Sequence, residues 1–407
     1  MAIGTRDRTD VNRSAVLAQL GGHPASRADL ARALRVSPAL MTQLVKELLN
    51  DGLVMELEHS PSHGGRPARL LGLVTTAGRS VGLKIAPDHI AFVDVGLDGA
   101  VIRSWQEPFD PFSPTLLEEL GKSVASFIDQ GDGLPVIGVG VAVAGTVDSQ
   151  ASGVVDSYQL GWNKVPVGPT LRRVLNLPVL VENNVNALAI AERLFGLGRE
   201  FDNFLTVTIG TGVGAAIVMD GAVLRGGAGG AGELGHVPVD PIGAPCNCGN
   251  RGCLETVISE HALVTKARER EIIGATEGIG ALTTAADGGD ERAWEIFSEA
   301  GYSLARVLAG VVQVFDPTAI VLLGEGTSAW AHWSRGFEPA FRGALLPDRR
   351  GVPVTVEEWN DVSWAQGAAA LVLSTPFDSD GVAGDQGKLV RSRLSDLKSL
   401  EGAAHGR

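Results

Sequence analysis

The hydrophobic pattern of this sequence changes character near residue 76. Before that point, apolar residues recur at the three- and four-residue spacings of amphipathic helices. After it, short apolar and β-branched runs such as Val136–Val143 alternate with helical segments. A chain of 407 residues has room for two or three domains. We therefore predict a helical N-terminal domain at residues 1–76, an α/β body at residues 77–374 and a flexible C-terminal tail at residues 375–407.

Composition excludes two broad classes of protein. With 44% hydrophobic and 20% charged residues, the chain is too apolar for an intrinsically disordered protein. Apolar runs such as 319–323 are far shorter than the roughly 20 residues that cross a bilayer. The first ten residues carry Arg6, Asp7, Arg8 and Asp10, unlike a secretory signal. We therefore expect a cytoplasmic protein.

The N-terminal domain has the signals of a helix-turn-helix. A first helix ends at Gly21-Gly22, and Ser26 is a suitable N-cap for a second. Ser37 is a suitable N-cap for a third helix, which has Pro38 at its first position. The loop between the second and third helices is about three residues long, as in helix-turn-helix proteins. Two short strands flanking a loop at residues 60–67 complete a predicted β-wing.

The exposed face of the third helix and the tip of the wing are candidate DNA contacts. Residues 1–75 carry nine basic and seven acidic residues, whereas the remaining chain carries 25 basic and 40 acidic. A positive charge confined to the head suits contact with phosphate. The alternatives are a scaffold for protein contacts and a merely solvated polar face. The predicted DNA-contacting residues are Ser37, Ala39, Thr42, Gln43, Lys46 and Arg66.

The three cysteines of the chain lie close together in sequence. Cys246, Cys248 and Cys253 fall within eight positions, which does not resemble an extracellular disulfide framework. His236 precedes them by ten residues, and one imidazole with three thiolates suits tetrahedral, structural zinc. The alternatives are three buried free thiols or, less in keeping with the surrounding residues, a catalytic cysteine. We therefore predict a zinc site formed by His236, Cys246, Cys248 and Cys253.

The body repeats one theme twice. Strands and helices alternate in residues 81–181, and again in residues 204–372. The predicted strands of the second half include Phe204–Ile209 and Ile320–Leu323. This pattern predicts two α/β lobes with a cleft between them, where a small ligand would bind.

Three glycine-rich segments resemble the ROK family of sugar kinases and sugar-responsive repressors. They are Ile-Gly-Thr-Gly-Val-Gly-Ala-Ala at 209–216, Gly-Gly-Ala-Gly-Gly-Ala-Gly-Glu-Leu-Gly-His at 226–236 and Cys-Asn-Cys-Gly-Asn-Arg-Gly-Cys-Leu-Glu at 246–255. Residues 144–148, 182–186 and 316–317 add to a resemblance that covers about residues 78–374. The head, with Gly-Gly-Arg-Pro at 64–67, is similar to the DNA-binding domain of the repressor branch.

The resemblance implies a fold and a set of ligand contacts. The fold is a winged helix-turn-helix followed by a two-lobed, actin-like or ribonuclease H-like sugar-kinase body with a structural zinc loop. His236 would offer one ring nitrogen to zinc and leave the other for the ligand, and Glu255 has the alternative role of supporting the metal loop. The sugar-binding residues implied by the family are Gly145, Asn183, Asn184, Glu233, His236 and Glu255.

The sequence departs from the kinase branch at three places. Asn184 stands where the kinases carry an aspartate as general base, and an amide cannot take up the proton of a sugar hydroxyl. Residues 82–87 lack the glycines of the first phosphate loop, although Gly-Thr-Gly at 210–212 retains the second. Gln159 replaces an asparagine that contacts the sugar in relatives. These departures favour a sensor without catalytic residues.

We therefore expect a sugar-responsive transcriptional regulator, most simply a repressor of carbohydrate-utilisation genes. An activator would use the same parts. Two identical heads suit a palindromic operator, so a homodimer or a dimer of dimers is expected. The first alternative is an ATP-dependent hexose kinase with a DNA-binding head. The second is a dimerisation scaffold that ignores ligands.

Overall fold

A computed structural model of the chain describes residues 13, 15–17, 19–21, 23–59, 69–357, 361–378 and 381–397. The chain divides into two compact units. Unit 1 spans Met1–Gly196 and Asp361–Arg407, and unit 2 spans Leu197–Asn360. Among the described helices, none combines the length and the apolar character that a bilayer crossing requires.

Unit 1 opens with the predicted helix-turn-helix, in which two serines cap the helices. The Ser26 hydroxyl accepts the Asp29 N–H at 3.2 Å, and the Ser37 hydroxyl accepts the Leu40 N–H at 3.2 Å. Strands β2 and β3 pair antiparallel, in a sheet of order β1-β3-β2. The elements are α1 (described at residues 13, 15–17 and 19–21), β1 (Ala25–Ser26), α2 (Arg27–Ala33), α3 (Pro38–Asn50), β2 (Val54–His59) and β3 (Arg69–Leu73).

The buried face of α3 is displaced slightly from the one that the sequence predicts. Leu44, Val45 and Leu48 are buried as expected, but the fourth buried residue is Met41 rather than Leu40. Positions 41, 44, 45 and 48 form one stripe of a helix, and Leu40 lies at its margin, where it is half-buried. The shift leaves the polar residues of α3 on the exposed side.

A five-stranded mixed sheet forms the body part of unit 1. Its order is β11-β7-β4-β5-β6, with β4, β5 and β6 antiparallel and with β7 parallel to both β4 and β11. A small sheet of order β10-β9-β8 precedes α5. The elements are β4 (Arg79–Ile85), β5 (His89–Gly96), β6 (Val101–Pro108), α4 (Leu116–Asp129), β7 (Val136–Val143), β8 (Thr146–Val147), β9 (Val155–Ser157), β10 (Trp162–Val165), α5 (Val167–Leu175), β11 (Val179–Asn183), α6 (Asn184–Leu194), α12 (Asp361–Leu373) and α13 (Gly384–Ser395).

Helix α12 packs unusually close to this sheet because two strand residues are glycines. A Cβ on Gly82 would overlap the Ala365 carbonyl oxygen, and one on Gly140 would overlap the Ala368 carbonyl oxygen. Strand β7 is buried along its whole length, as expected for a strand covered on both faces.

Unit 2 is built around a second five-stranded sheet, of order β14-β13-β12-β15-β16. Strands β12 and β13 form an antiparallel hairpin, whereas β12, β15 and β16 run parallel. Helix α10 has the longest buried face of this unit and packs against α11. The elements are β12 (Phe204–Ile209), β13 (Val213–Met219), β14 (Ala222–Val223), α7 (Glu255–Ile258), α8 (Glu260–Glu269), α9 (Ile279–Asp287), α10 (Glu291–Phe315), β15 (Ala319–Leu323), α11 (Trp330–Ala344) and β16 (Val354–Val356). Each unit thus contains a sheet of parallel and antiparallel strands packed with helices, which agrees with the α/β body that the sequence predicts.

The prediction of a flexible tail from residue 375 is wrong for the part that the structure describes. Helix α13 packs on unit 1 with Val390 and Leu394 buried, and Leu397 is buried just beyond it. The Arg393 guanidinium donates to the Val136 carbonyl oxygen at 2.7 and 3.1 Å. The polar composition of this segment concealed an apolar stripe at i, i+4 and i+7.

The head and the first body sheet share buried side chains. Leu71 of the head, Ala77 of the connection and Ile137 of the sheet belong to one buried cluster. A Cβ on Gly78 would lie 3.0 Å from the Leu397 side chain, so the end of α13 closes over the connection. The functional boundaries at residues 76 and 374 stay predictions.

Candidate functional site

The four predicted metal ligands converge in unit 2. One ligand atom from each of His236, Cys246, Cys248 and Cys253 lies within 4.8 Å of all the others. The Cys248 and Cys253 Sγ atoms are 3.7 Å apart, and the Cys246 Sγ atom is 3.5 Å from Nδ1 of His236. Tetrahedral zinc, with Zn–S of about 2.3 Å and Zn–N of about 2.0 Å, separates such atoms by about 3.8 and 3.5 Å. The donor set and its spacing therefore fit a metal ion of this kind.

The loop that carries the cysteines is shaped by short backbone contacts. The Cys246 N–H donates to the Asn250 carbonyl at 2.8 Å, and the Gly249 N–H donates to the Cys246 carbonyl at 3.0 Å. Gly252 has a φ of 62°, and a Cβ there would overlap the Asp240 carbonyl oxygen. The glycine is therefore required both by conformation and by space.

Without a bound metal ion, two of the three thiols have a pKa above that of an ordinary cysteine. Burial and the neighbouring thiols raise the pKa of Cys253 to about 12, and burial also raises the pKa of Cys246. A backbone hydrogen bond from Asn250 lowers the pKa of Cys248. Reactive catalytic cysteines occupy electropositive surroundings that lower their pKa. The raised pKa values of Cys246 and Cys253 therefore argue against nucleophilic catalysis by these two thiols.

The predicted sugar contacts of unit 2 adjoin the metal loop. Nδ1 of His236 faces Cys246, while its Nε2 lies 3.7 Å from a carboxylate oxygen of Glu233. The Glu255 carboxylate accepts the Val213 N–H at 3.1 Å, so one of its oxygens supports strand β13. Burial raises the pKa of Glu233, the His236 ring opposes that shift, and the Glu255 charge adds to it. Glu233 and His236 thus lie close together beside the metal loop, whereas the bond of Glu255 goes to strand β13 and not to that loop, and the sugar-binding role of the three residues stays a prediction.

The predicted sugar contacts of unit 1 lie where β11 passes into α6. The Asn183 side chain caps α6 by accepting the N–H groups of Val185 at 2.9 Å and Asn186 at 3.2 Å. Its amide nitrogen donates to the Gly145 carbonyl at 2.9 Å. Asn184, the first residue of α6, is half-buried. Gly145, Asn183 and Asn184 therefore form one group.

A buried polar network behind this group was missed by sequence reasoning. Glu182 is only 1% exposed and accepts the Asn183 N–H at 2.8 Å and the Gln150 side-chain amide at 3.0 Å. The Asn186 amide also donates to it at 3.3 Å. Glu182 stood beside the predicted asparagines in sequence, but its pairing with Gln150, 32 residues away, had no sequence signal. This network holds the backbone at Asn183.

Gln159, which stands where the family resemblance implies a sugar-contacting asparagine, lies at the surface. Gln159 is exposed, while the neighbouring Trp162 is buried and donates its indole N–H to the Pro111 carbonyl at 3.0 Å. The tryptophan thus anchors the segment and leaves Gln159 at the surface.

The predicted DNA contacts on α3 share its exposed side. Ser37 uses its hydroxyl as the helix cap, and Thr42 donates its hydroxyl to the Pro38 carbonyl at 2.8 Å. The Gln43 amide donates to Glu47 at 3.1 Å. Arg66 lies outside the described residues. The exposed residues of the predicted set are Ser37, Ala39, Thr42, Gln43 and Lys46.

Two loops, residues 82–87 in unit 1 and residues 210–212 in unit 2, correspond to the predicted phosphate loops. In each of them at least one backbone N–H is already hydrogen-bonded within the protein. In unit 1 the Ala86 N–H donates to the His89 carbonyl at 2.9 Å, and Pro87 has no N–H. In unit 2 the Gly210 N–H donates to the Gly212 carbonyl at 3.1 Å. A Cβ on Gly210 would overlap a carboxylate oxygen of Glu325, so that acidic group lies directly against the glycine loop.

Comparison with known proteins agrees with this architecture. The ROK family pattern matches residues 80–375, and the MarR family pattern matches residues 9–64. The xylose repressor of Bacillus subtilis (strain 168) is 30% identical over 316 residues, 77% of this chain and 81% of that protein. The DNA-binding transcriptional dual regulator NagC of Escherichia coli (strain K12) is 28% identical over 360 residues, 86% of this chain and 88% of that protein.

Two solved structures extend the comparison to the fold. The crystal structure of a ROK family transcriptional regulator, homolog of the E. coli MLC protein, has a TM-score of 0.78 and 27% identity. It covers 97% of this chain and 100% of that chain. A ROK family glucokinase from Streptomyces griseus, in complex with glucose and AMPPNP, has a TM-score of 0.65 and 29% identity, covering 72% and 99%. Because the family pattern covers well over half of its length, this chain belongs to the ROK family.

Proposed function

We propose that this protein is a sugar-responsive, DNA-binding transcriptional regulator, acting as a repressor of carbohydrate-utilisation genes in the cytoplasm. The observation that carries the proposal is the exposed polar face of α3 in a MarR-like head joined to a ROK body. Two relatives that match more than three quarters of this chain are named as a repressor and as a DNA-binding transcriptional regulator. Residues 1–76 would bind DNA and residues 77–374 would bind the sugar and a second subunit.

DNA recognition is assigned to α3 and the wing. Thr42, Gln43 and Ala39 are short or amide-bearing side chains suited to base edges, and Lys46 is suited to a phosphate. Ser37 would position the start of the helix, and Arg66 would enter the minor groove. Two heads related by two-fold symmetry would meet a palindromic operator, so we propose a homodimer or a dimer of dimers.

Sugar recognition is assigned to the two groups of polar residues. In unit 1, Asn183 and Asn184 supply amides that donate to and accept from hydroxyl groups, and Gly145 keeps the adjoining turn open. In unit 2, Glu233, His236 and Glu255 supply carboxylates and an imidazole for charge-assisted hydrogen bonds. The effector would be a neutral sugar or a sugar derivative, because four of these six residues carry a carboxylate or amide oxygen that accepts a hydroxyl proton.

Zinc is the metal proposed for the Cys/His loop. His236, Cys246, Cys248 and Cys253 would hold it, and four protein ligands leave no open position, as in structural sites. When bound, zinc supplies a cross-link that fixes the loop and keeps the thiolates ionised. The chain itself orients the free Nε2 of His236 towards Glu233.

Sensing without phosphorylation is supported by the acidic groups around the second glycine loop. Phosphate loops work by offering free N–H groups to anions. Here Glu325 lies against Gly210, and the Val213 N–H is already bonded to Glu255. Burial and the Glu325 charge raise the pKa of Glu260, whose N–H donates to the Gly210 carbonyl at 2.8 Å. Together with the amide at Asn184, this arrangement disfavours nucleotide phosphate and leaves the sugar hydroxyl without a base.

The second candidate function is an ATP-dependent hexose kinase with a DNA-binding head. Its support is the likeness to the glucokinase structure that holds glucose and AMPPNP. A coupled assay that detects ADP release with D-glucose, D-xylose or N-acetyl-D-glucosamine tests it. Sugar-dependent turnover above that of a heat-inactivated control would replace the sensor by an enzyme.

Fluorescence anisotropy tests the main proposal. The full-length protein is titrated onto labelled DNA from upstream of its own gene, with and without hexoses, pentoses and their phosphates. We expect tight binding that one sugar weakens about tenfold, a typical allosteric coupling. Binding that is equally tight with every sugar would remove the sensor function, and absence of binding to upstream and genomic library DNA would remove the regulator function.

A further inference from the structure

Helix α6 touches the candidate sugar residues at one end and a tight turn at the other. Asn183 caps its first turn, and Phe195 is its C-terminal cap. Eleven helical residues, Asn184–Leu194, separate the two ends by about 16 Å. The Phe195 N–H donates to the Ala191 carbonyl at 2.7 Å, so the residue continues the hydrogen-bonding of the helix. A helix of this kind moves as one body when its first turn moves.

Phe195 packs on the turn that joins β5 to β6. A Cβ on Gly99 would lie 2.6 Å from the Phe195 ring, so the ring rests directly on the glycine backbone. Gly99 has a φ of 84°, and its N–H donates to the Gly96 carbonyl at 3.0 Å. Gln366 of α12 donates to the Gly99 carbonyl at 2.8 Å. The turn is therefore closed by its own hydrogen bond and held from outside by Gln366, so it has little freedom to yield to the Phe195 ring.

The same turn touches the DNA-binding head at one place and the connection between head and body at another. A Cβ on Gly21, in α1, would lie 3.5 Å from the Leu97 carbonyl oxygen. A Cβ on Gly96 would lie 3.5 Å from the Thr75 carbonyl oxygen, in the connection between head and body. Leu97 itself is buried in the cluster that contains the apolar core of the head. Glycines at both contacts let backbone meet backbone without an intervening side chain.

We propose that α6, Phe195 and the turn 96–99 form a relay that transmits occupancy of the Asn183 site to the head. The relay rests on the proposed function, because it assumes that Asn183 contacts the effector. A sugar hydroxyl bonded to Asn183 competes with its bonds to Gly145 and to the first turn of α6. The resulting shift of α6 pushes Phe195 against the turn and changes the seating of α1. Close-packed interiors transmit such shifts because they cannot absorb them.

Phe195 is thus a positioning residue that binds neither sugar nor DNA. Helix α6 also places Ala187 in the buried cluster of the head, but two physical features distinguish Phe195 as the link that can be tested. It is the contact through which the end of α6 bears on the turn, and shortening its side chain leaves the hydrogen bonds of the helix and of the turn unchanged. Its loss is therefore expected to uncouple two sites that each remain intact.

Hydrogen exchange on the full-length protein tests the relay without sugar or DNA. Asn183→Ala, Phe195→Ala and the double variant are compared with wild type, and Phe195→Leu serves if the alanine variant unfolds. Phe127→Leu is the matched control, because Phe127 is an aromatic residue of the same unit that stacks on Phe92. We expect Asn183→Ala to raise deuterium uptake in peptides covering 96–100 and 19–26, but not in the Phe195→Ala background. Changes confined to the start of α6, or head changes that persist without Phe195, would overturn the relay.

A binding experiment then measures the coupling itself. For wild type and the Phe195 variants, operator Kd is measured without ligand and with saturating D-xylose or N-acetyl-D-glucosamine, and sugar Kd is measured without DNA. We expect Phe195→Ala to reduce a roughly tenfold sugar effect to less than about threefold, with both individual Kd values within about twofold of wild type. Phe127→Leu should keep the full effect. Failure of wild type to bind DNA would count against the proposed function, while the exchange experiment would still decide the relay.

Discussion

Nε2 of His236 lies 3.7 Å from a carboxylate oxygen of Glu233, while Nδ1 of the same ring faces Cys246 at 3.5 Å. One imidazole therefore borders both the candidate metal loop and the candidate sugar group. A metal ion bound to Nδ1 would fix the ring beside the Glu233 carboxylate. Loss of the metal should consequently be felt first as loss of the sugar response.

Cys248→Ser is expected to release zinc and to weaken the response to sugar. A serine hydroxyl is a poor zinc ligand compared with a thiolate, so elemental analysis should find about one zinc ion per wild-type chain and less than half of that in the variant. Ala244→Ser, an exposed position in the same loop, is the matched control. Full zinc occupancy in Cys248→Ser would exclude Cys248 from the ligand set.

Glu233→Gln is expected to abolish the release of operator DNA by the sugar, while binding to the operator in the absence of sugar stays intact. The amide keeps the size of the side chain but loses the charge that strengthens hydrogen bonds to hydroxyl groups, a loss of about 1.5–3 kcal/mol in sugar affinity. Isothermal calorimetry with the effector and anisotropy with the operator measure the two quantities. Glu269→Gln, exposed on α8 in the same unit, should behave like wild type. A normal response in Glu233→Gln would remove Glu233 from the sugar site.

Lys46→Ala is expected to weaken DNA binding at every sequence to a similar degree. A lysine bound to one phosphate contributes about one unit to the slope of log K against log salt. Anisotropy titrations at several salt concentrations measure that slope, and thermal unfolding shows whether stability has changed. Lys122→Ala, exposed on α4, is the control for a general change of charge. An unchanged slope in Lys46→Ala would place the phosphate contact elsewhere.

Glu325→Ala is expected to open the glycine loop of unit 2 to anions. The substitution removes both the charge and the bulk that lie against Gly210, whereas Glu325→Gln removes the charge alone. Titration with a fluorescent ATP analogue and Mg²⁺ should show binding at least about tenfold tighter in the alanine variant, a change of about 1.4 kcal/mol. Glu269→Ala is the control. Tight ATP binding by wild type would contradict the role given to Glu325.

Glu260→Gln is expected to raise stability at neutral pH but not at acidic pH. Burial, and secondarily the charge of Glu325, raise the pKa of Glu260 above its ordinary value of 4.5. Below pH 4.5 the Glu260 carboxyl is protonated in both the native and the unfolded protein. The free energy of unfolding then falls as pH rises through the higher native pKa, because the native protein resists losing this proton. The variant lacks this loss, so its Tm should exceed that of wild type near pH 7.5 and by a smaller amount near pH 4.5. Equal differences at both pH values would contradict the pKa shift.

Local signals were the parts of the fold that the sequence predicted well. Ser26 and Ser37 cap helices as predicted, since a cap depends on residues three positions away. The Cys/His loop was equally easy to recognise in the sequence, because its four candidate metal ligands lie within 18 residues and glycines mark its turns. These features need no knowledge of the rest of the chain.

Long-range packing was the part that could not be predicted. The bond between Gln150 and Glu182, the position of Glu325 against Gly210 and the burial of Leu397 all join residues far apart in sequence. The choice of Met41 over Leu40 depends on the angle at which α3 meets its neighbours, which periodicity does not determine. Each of these became visible only with the tertiary structure.

The contact between Leu397 and Gly78 has a consequence for how the protein is made. Gly78 lies where the DNA-binding head joins the body, and the side chain that covers it comes from the last described turn of the chain. On the ribosome, the head leaves the exit tunnel long before that turn is synthesised. The contact that covers Gly78 is therefore made only after nearly all of the body has emerged, so incomplete chains lack this one contact at the junction of head and body.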